Sequence, residues 1–214
     1  MKKPGLIMFD YDGVIVDSFE IHAKCFILAC RDNGYLGIST REELLNLYEG
    51  NVYNGLLERG LTVNLIDKIL ADYGIMQKEY LHQIHLFAGM KECIEKLGII
   101  NKIYIITSNI SEAAVQVLNS KGIKSYQEVL GADKEKSKVK KIKNLTRTYA
   151  NVDAYFIGDT KGDIYEGKEA GVKTIGTAWG WHGKDRLAEA APDYIVHSPE
   201  GLVSLFHKLA CKSQ

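Results

Sequence analysis

Two aspartates, Asp10 and Asp12, stand two residues apart where an apolar run ends, in the stretch FDYDGVIVDS over residues 9–18. Like charges this close repel, so the pair needs either full solvation in a turn or a cation between its members. The chain offers companions for the second option. IITSN (105–109) ends in Thr107, Ser108 and Asn109, a hydroxyl followed by fresh backbone N–H groups. GDTKGD (158–163) brings Asp159 and Asp163, and KEKSKVKK (134–141) offers lysines between the two. Carboxylates from two places, a hydroxyl and an ammonium suit a hard divalent cation held together with a phosphoryl group. Mg²⁺ fits best, because it takes oxygen ligands and is commonly bound by one or two carboxylates with phosphate and water.

These residues must be carried to one spot, and the surrounding runs indicate how. GLIMF (5–9), KIYIIT (102–107), EVLGA (128–132), AYFIGD (154–159) and VKTIGTA (172–178) have the length and unbroken apolar character of strands covered on both faces. Between the later runs lie helical patterns. Ser111 is placed to cap a helix bearing Ala114, Val117 and Leu118 and ending at Gly122. Val139, Ile142, Leu145 and Tyr149 mark the next one. Alternation of this kind predicts an α/β fold, a Rossmann-like doubly wound parallel sheet whose strand ends gather ligands. From about residue 18 to 86 the rhythm breaks: no convincing strand occurs, and Leu44, Leu45, Tyr48, Leu65, Ile66, Ile69, Leu70 and Tyr73 recur at helical spacing. The expected organisation is a core of residues 1–16 and 88–214 with an all-helical insertion, 17–87, after the first strand.

In their order and placement, DYDGV (10–14), IITSN, a downstream lysine and GDTKGD resemble the four motifs of the haloacid dehalogenase superfamily. The helical insertion resembles that superfamily's C1 cap, so the resemblance covers the full chain. It implies that Asp10 attacks phosphorus and forms an aspartyl-phosphate, while Asp12 protonates the leaving oxygen and then activates water. It also implies Mg²⁺ held by Asp10, the Asp12 carbonyl and Asp159, with Asp163 in support. Thr107, Ser108 and Asn109 would bind the phosphoryl oxygens with a lysine. Many relatives carry a KPxP pattern that this chain lacks. Lys138 leads directly into the Val139 helix and is preferred; Lys136, nearer the KPxP-like offset, stays open.

An acid at position 12 favours phosphoryl transfer over dehalogenation within this family. Phosphoglycolate phosphatase-like and β-phosphoglucomutase-like enzymes both fit. DYDGVIVDSFEIH matches the mutase opening, His22 included, but the mutase's cap arginine is replaced here by Asn51, Val52, Tyr53 and Asn54 after Gly50. The expectation is therefore a phosphatase acting on a small phosphorylated metabolite, a phosphomonoester of the phosphoglycolate or sugar-phosphate kind. A phosphomutase is the alternative, and a phosphate-accepting or inactive binding module is the alternative of another class. Glu20, His22, Tyr48, Asn51 and Tyr53 are the candidate cap contacts to substrate, with hinges near Val16–Ser18 and Phe87–Gly89.

Lysine plus arginine balances aspartate plus glutamate at 27 each, which points away from nucleic acid and acidic membranes; near-zero net charge favours weak self-association, and the expectation is a monomer or weak homodimer. The six lysines between 134 and 143 carry no interleaved aromatics and read as a solvated helix face with one functional member. MKKPGLIMFD briefly imitates a signal peptide, but the apolar run is short and the aspartates interrupt it. No stretch approaches the roughly 20 apolar residues of a membrane span. Cys25, Cys30, Cys93 and Cys211 lack CxxC spacing and read as reduced core residues of a cytoplasmic protein. Trp179, Trp181 and His182 are expected in core packing or at a loop rim.

Overall fold

The computed structural model describes residues 5–212. The first strand, β1 (Leu6–Phe9), explains why its sequence is apolar at every position. Ile7 and Phe9 enter one core cluster and Leu6 and Met8 another, and all four are fully buried. The chain then turns into β2 (Val16–Asp17) and runs through α1 (Phe19–Asp32), α2 (Arg41–Leu47), α3 (Val52–Glu58) and α4 (Val63–Lys78). It returns as β3 (His85–Leu86), antiparallel to β2, with Val16 opposite Leu86 and Asp17 opposite His85. The strand β3 lies in the stretch read as wholly helical; two residues are too few for a period to register.

The remainder alternates: α5 (Met90–Gly98), β4 (Lys102–Ile106), α6 (Ser111–Ser120), β5 (Glu128–Leu130), α7 (Lys138–Thr148), β6 (Ala154–Gly158), α8 (Lys161–Glu169), β7 (Lys173–Thr177), α9 (Gly183–Glu189), β8 (Tyr194–Val196) and α10 (Pro199–Lys212). Six strands form one sheet in the order β5-β4-β1-β6-β7-β8, every neighbouring pair parallel. The expected doubly wound α/β architecture is met. The sequence reading missed β8, an edge strand of three residues, two of them only half-buried. The order reverses at β1: the chain proceeds outward to β5 on one side, then crosses to β6 on the other. A crevice opens at the carboxyl ends of strands where such a reversal occurs.

Helices α1 to α4 pack around their own apolar cluster, which includes Phe26, Leu44, Leu56, Ile66 and Ile69. Three of them have side-chain caps at their starts, a reciprocal Thr40–Glu43 capping box on α2 and the Asn51 and Thr62 side chains on α3 and α4. Ser111, expected as a cap, is instead the first residue of α6. Asp133 takes the capping role from across the loop, accepting from the Ser111 N–H at 2.7 Å and its hydroxyl at 2.9 Å. All four cysteines are free, but only Cys25, Cys30 and Cys93 are buried; Cys211 is exposed on α10, which corrects its reading as a core residue. No helix among the described residues is long and apolar enough to cross a membrane.

Candidate active site

Asp10, Thr107 and Asp159 are each the first residue beyond a strand, of β1, β4 and β6 respectively. Those three strands are neighbours, so parallel register alone sets the three side chains side by side. The Asp10 N–H continues the ladder to the Ile157 carbonyl at 2.8 Å, and that of Thr107 reaches Leu130 at 3.1 Å. Beyond Asp10 the backbone folds tightly, with the Ile15 N–H bonded to the Tyr11 carbonyl at 2.9 Å and Gly13 at φ +77°. This turn keeps Asp12 beside the strand end, where its carboxylate accepts from the Ser18 hydroxyl at 2.7 Å and the Asn109 amide at 3.4 Å.

One ammonium joins two of the four aspartates. Lys138, the first residue of α7, donates to Asp10 Oδ1 at 2.8 Å and to Asp163 Oδ1 at 2.7 Å, and is itself only 7 % exposed. Lys136 lies elsewhere, exposed and paired with Asp67 on α4 at 2.9 Å, so of the two lysines left open by the sequence Lys138 is the one beside Asp10. Lys141, one turn further along α7, is also buried and donates to the Thr107 carbonyl at 2.7 Å. The lysine-rich helix is thus not the solvated face with one engaged member that its sequence suggests.

The charges do not balance. Burial pushes the Asp10 carboxyl up to about 8 against the opposing pull of Lys138. Asp159 is raised well above the usual range by burial and by its neighbours Asp163 and Asp10, and Asp12 is raised by burial. Asp163 goes the other way: burial opposes its ionisation, but Lys138 and the Thr160 hydroxyl and N–H outweigh it. Lys138 is likewise held well above its ordinary value, since Asp10 and Asp163 overcome its desolvation.

Ligand atoms of Asp10, Asp159 and Asp163 lie within 4.8 Å of one another. Asp159 Oδ2 accepts from the Trp181 N–H at 2.7 Å, whereas its buried Oδ1 has no partner. A buried carboxylate oxygen left unpaired is costly, and in an all-oxygen cluster with surplus negative charge it suits a hard cation. Both oxygens of Asp163 are already engaged, by Lys138 on one side and by Thr160 on the other, where it also completes the capping box of α8. Asp10 and Asp159 are therefore the better direct ligands, with Asp163 acting through the lysine.

Above the cluster lies a pocket of about 570 Å³ empty volume, open to solvent, with the Thr107–Asn109 turn on its core side. Its opposite wall is formed by His22, Phe26, Tyr48, Val52, Leu70 and Tyr73 from the helical segment, joined by Trp181 from the loop after β7. His22 is buried and bridges two hydroxyls, Tyr73 through Nδ1 and Tyr48 through Nε2, each at 2.8 Å. Burial lowers it to about 3, so it is neutral in the physiological range.

The family model for haloacid dehalogenase-like hydrolases matches residues 7–177. The chain belongs to that family. Pyrophosphatase PpaX of Bacillus pumilus is 24 % identical over 93 % of this chain and 94 % of its own. The phosphoglycolate phosphatase of Vibrio parahaemolyticus is 28 % identical over 94 % and 95 %. Among solved structures, a haloacid dehalogenase-like family hydrolase of Streptococcus pneumoniae superposes with a TM-score of 0.77 at 22 % identity, covering 95 % of this chain and 98 % of that one. The resemblance carried by the motifs is met, and with it the expectation of a hydrolytic enzyme of phosphatase type.

Within this hydrolase, the cap contacts expected from sequence divide sharply. His22 and Tyr48 line the pocket. Glu20 does not: it is exposed and pairs with Arg41. Asn51 caps α3 and donates to Glu166 on α8 at 3.0 Å, tying the helical segment to the core. Tyr53 packs against the helical cluster, with the Lys136 ammonium over its ring. Phe26, Val52, Leu70, Tyr73 and Trp181 stand where those three were expected. His182 is structural, as assigned: its Nδ1 accepts from the Lys161 N–H at 3.0 Å, which leaves Nε2 to donate to the Leu45 carbonyl at 3.0 Å.

Glycines are the signal that sequence reasoning passed over. A Cβ at Gly13 or Gly180 would overlap the Asp159 carboxylate, and one at Gly158 would overlap Asp163. Gly13 also carries a positive φ. Gly13→Ala is expected to cost about 1–3 kcal/mol of stability through strain and to reduce turnover more than tenfold by displacing Asp159. Thermal melting beside steady-state rates will separate the two; full activity with an unchanged melt would contradict this packing.

Proposed function

We propose that this phosphatase hydrolyses a small phosphomonoester, of the phosphoglycolate or sugar-phosphate kind, in two steps through an aspartyl-phosphate on Asp10, with Mg²⁺ as cofactor. The observation that carries the reading is the placement of Asp10 at the base of the pocket, one carboxylate oxygen held by Lys138 and the unpaired Asp159 oxygen beside it. The other Asp10 oxygen attacks phosphorus as the ester P–O bond breaks, and Asp12 gives its proton to the departing oxygen. Burial raises Asp12, which favours the protonated form this step needs. In the second step water attacks the aspartyl-phosphate, Asp12 takes its proton, and phosphate leaves with Asp10 restored.

Lys138 neutralises charge on the transferring group, while the Thr107 hydroxyl and the Ser108 N–H orient its oxygens. Asp10, the Asp12 carbonyl and Asp159 would hold Mg²⁺, which when bound supplies further charge neutralisation at the phosphoryl oxygens. Residues 17–87 act as the cap that shields the site. Three buried, unpaired cysteines support a reducing compartment, the cytoplasm. A mutase would need a second phosphate anchor, and the lining residues offer no cation besides Lys138, which supports hydrolysis instead.

The test is phosphate release from a panel of small phosphate esters and pyrophosphate, with Mg²⁺ and with chelator. Turnover of at least one ester is expected, falling roughly 10²-fold or more on chelation. Silence across the panel with Mg²⁺ present would overturn the reading.

A further inference from the structure

The pocket wall that faces the acidic cluster is built from aromatic and aliphatic side chains and holds no lysine or arginine. His22 is neutral there, and Lys138, already spanning Asp10 and Asp163, is the one cation among the lining residues. Nearby basic side chains are engaged elsewhere: Arg41 with Glu20, Lys136 with Asp67, and Lys161 and Arg186 with Glu49. Against this single ammonium stand four lining carboxylates, Asp10, Asp12, Asp159 and Asp163. Even with one divalent cation added, the site has no positive charge to spare for a second anion. Such an anion would leave water with no cation left to pair it, the costly case for a buried charge.

The polar groups the wall does offer are neutral. A neutral imidazole carries one N–H, so His22 donates to one of Tyr48 and Tyr73 and accepts from the other. The tyrosine that accepts keeps its own O–H to give, and the one that donates keeps lone pairs. The indole N–H of Trp181 is buried without a partner, beside His22 and Tyr48, with ring centroids 4.9 and 5.0 Å away. Neutral donors and acceptors framed by aromatic faces match the hydroxyls and carbon skeleton of an uncharged alcohol. A carboxylate or phosphate accepts hydrogen bonds but requires a countercharge that this wall lacks.

We infer that the enzyme selects phosphomonoesters whose leaving group is uncharged and hydroxyl-bearing, and discriminates against leaving groups that carry a carboxylate or a second phosphate. The inference rests on the phosphatase reading above and narrows it. It separates this chain from the substrates named for two of its relatives, phosphoglycolate and pyrophosphate, since both leave as anions. The selecting residues are His22, Tyr48, Tyr73 and Trp181, with Val52 and Leu70 closing the apolar side.

Matched esters test it. Rates with Mg²⁺ are compared for 2-hydroxyethyl phosphate against phosphoglycolate, and for glycerol 1-phosphate against 3-phosphoglycerate, pairs that differ mainly in the charge of the leaving group. The neutral member of each pair is expected to show at least a tenfold higher kcat/KM. Equal or better kcat/KM for the anionic members overturns this inference and leaves the phosphatase reading standing. No Mg²⁺-dependent release from any of these esters or from p-nitrophenyl phosphate overturns both. A gain-of-function variant gives a second readout: Val52→Lys places an ammonium in the wall and is expected to shift the ratio at least tenfold toward the anionic esters. An unchanged ratio in the folded variant counts against the electrostatic argument. Trp181→Phe is expected to raise KM for glycerol 1-phosphate while sparing phenyl phosphate, which has no hydroxyl for the indole to hold; equal losses on both esters count against the hydrogen-bonding role.

Discussion

Asp10→Asn is expected to remove turnover, by roughly 10⁴–10⁶-fold in kcat, without unfolding the protein. The amide has the size of the carboxylate, and its oxygen can still accept from Lys138, which keeps its second partner Asp163. What disappears is the anionic oxygen that would attack phosphorus. An amide is too weak a nucleophile to replace it, and Asp12, the other lining carboxylate that follows β1, is engaged by the Ser18 hydroxyl and the Asn109 amide. The melt should move little, or upward, because burial works against the Asp10 charge and the substitution removes that charge. Steady-state rates on the best ester from the panel, with a thermal melt of the same preparation, give both numbers. A variant within tenfold of wild type would sink covalent catalysis and point to direct attack by water. A variant that is inactive and also unfolded would say that Asp10 is structural first.

The fold was legible where burial on both faces forces a run of apolar residues. Leu6 to Phe9 and Ile103 to Ile106 are fully enclosed or nearly so, and no other element of that length needs such a run. Legibility failed where the element was too short or too exposed to carry a pattern. Tyr194–Val196 is an edge strand with one fully buried position, and the ribbon of Val16–Asp17 with His85–Leu86 is held by pairing across a long insertion. Ser111 shows another kind of failure. Its residue type suits a helix cap, but it stands one position inside the helix, where Asp133, supplied by the chain 22 residues later, accepts from its N–H and its hydroxyl.

Within the site, strand ends were readable and helix faces were not. Asp10, Thr107 and Asp159 sit where a strand stops, so their meeting follows from sheet order. The cap contacts depend on how one helical cluster is set over the sheet, which no local pattern states. Asn51 illustrates this: Asn followed three residues later by a helical N–H is a capping signature, and that is the role it takes. Phe26 and Tyr73 lie at helical spacing with other apolar residues and look like ordinary core. They are core, and they also line the pocket. Trp181 was set aside as packing; its backbone N–H on Asp159 and its ring against His22 place it between metal candidate and pocket wall.

The two contributions of Lys138, charge balance and catalysis, can be pulled apart by Lys138→Met. Methionine fills much of the space of the lysine stem but carries no charge, and the surrounding Asp10, Asp159 and Asp163 would then face each other without a protein cation. Breaking a buried ion pair on one side costs about 3–5 kcal/mol, so in chelator the variant should melt well below wild type. On the proposed reading Mg²⁺ would bind the same carboxylates, more tightly once the competing ammonium is gone, and a ligand that binds only the folded state raises its stability with concentration. The melting temperature of the variant is therefore expected to climb with Mg²⁺ more steeply than that of the wild type. Activity should not follow. A fixed donor aimed at the transferring oxygens is worth roughly 10²–10³-fold in rate, and a cation bound to carboxylates cannot occupy the position of the Lys138 ammonium as well as its own. Saturating Mg²⁺ should thus restore the fold while leaving kcat two to three orders of magnitude down. If both recover together, Lys138 is a structural counterion alone; if neither does, the cluster does not bind the metal and the cofactor assignment falls with it.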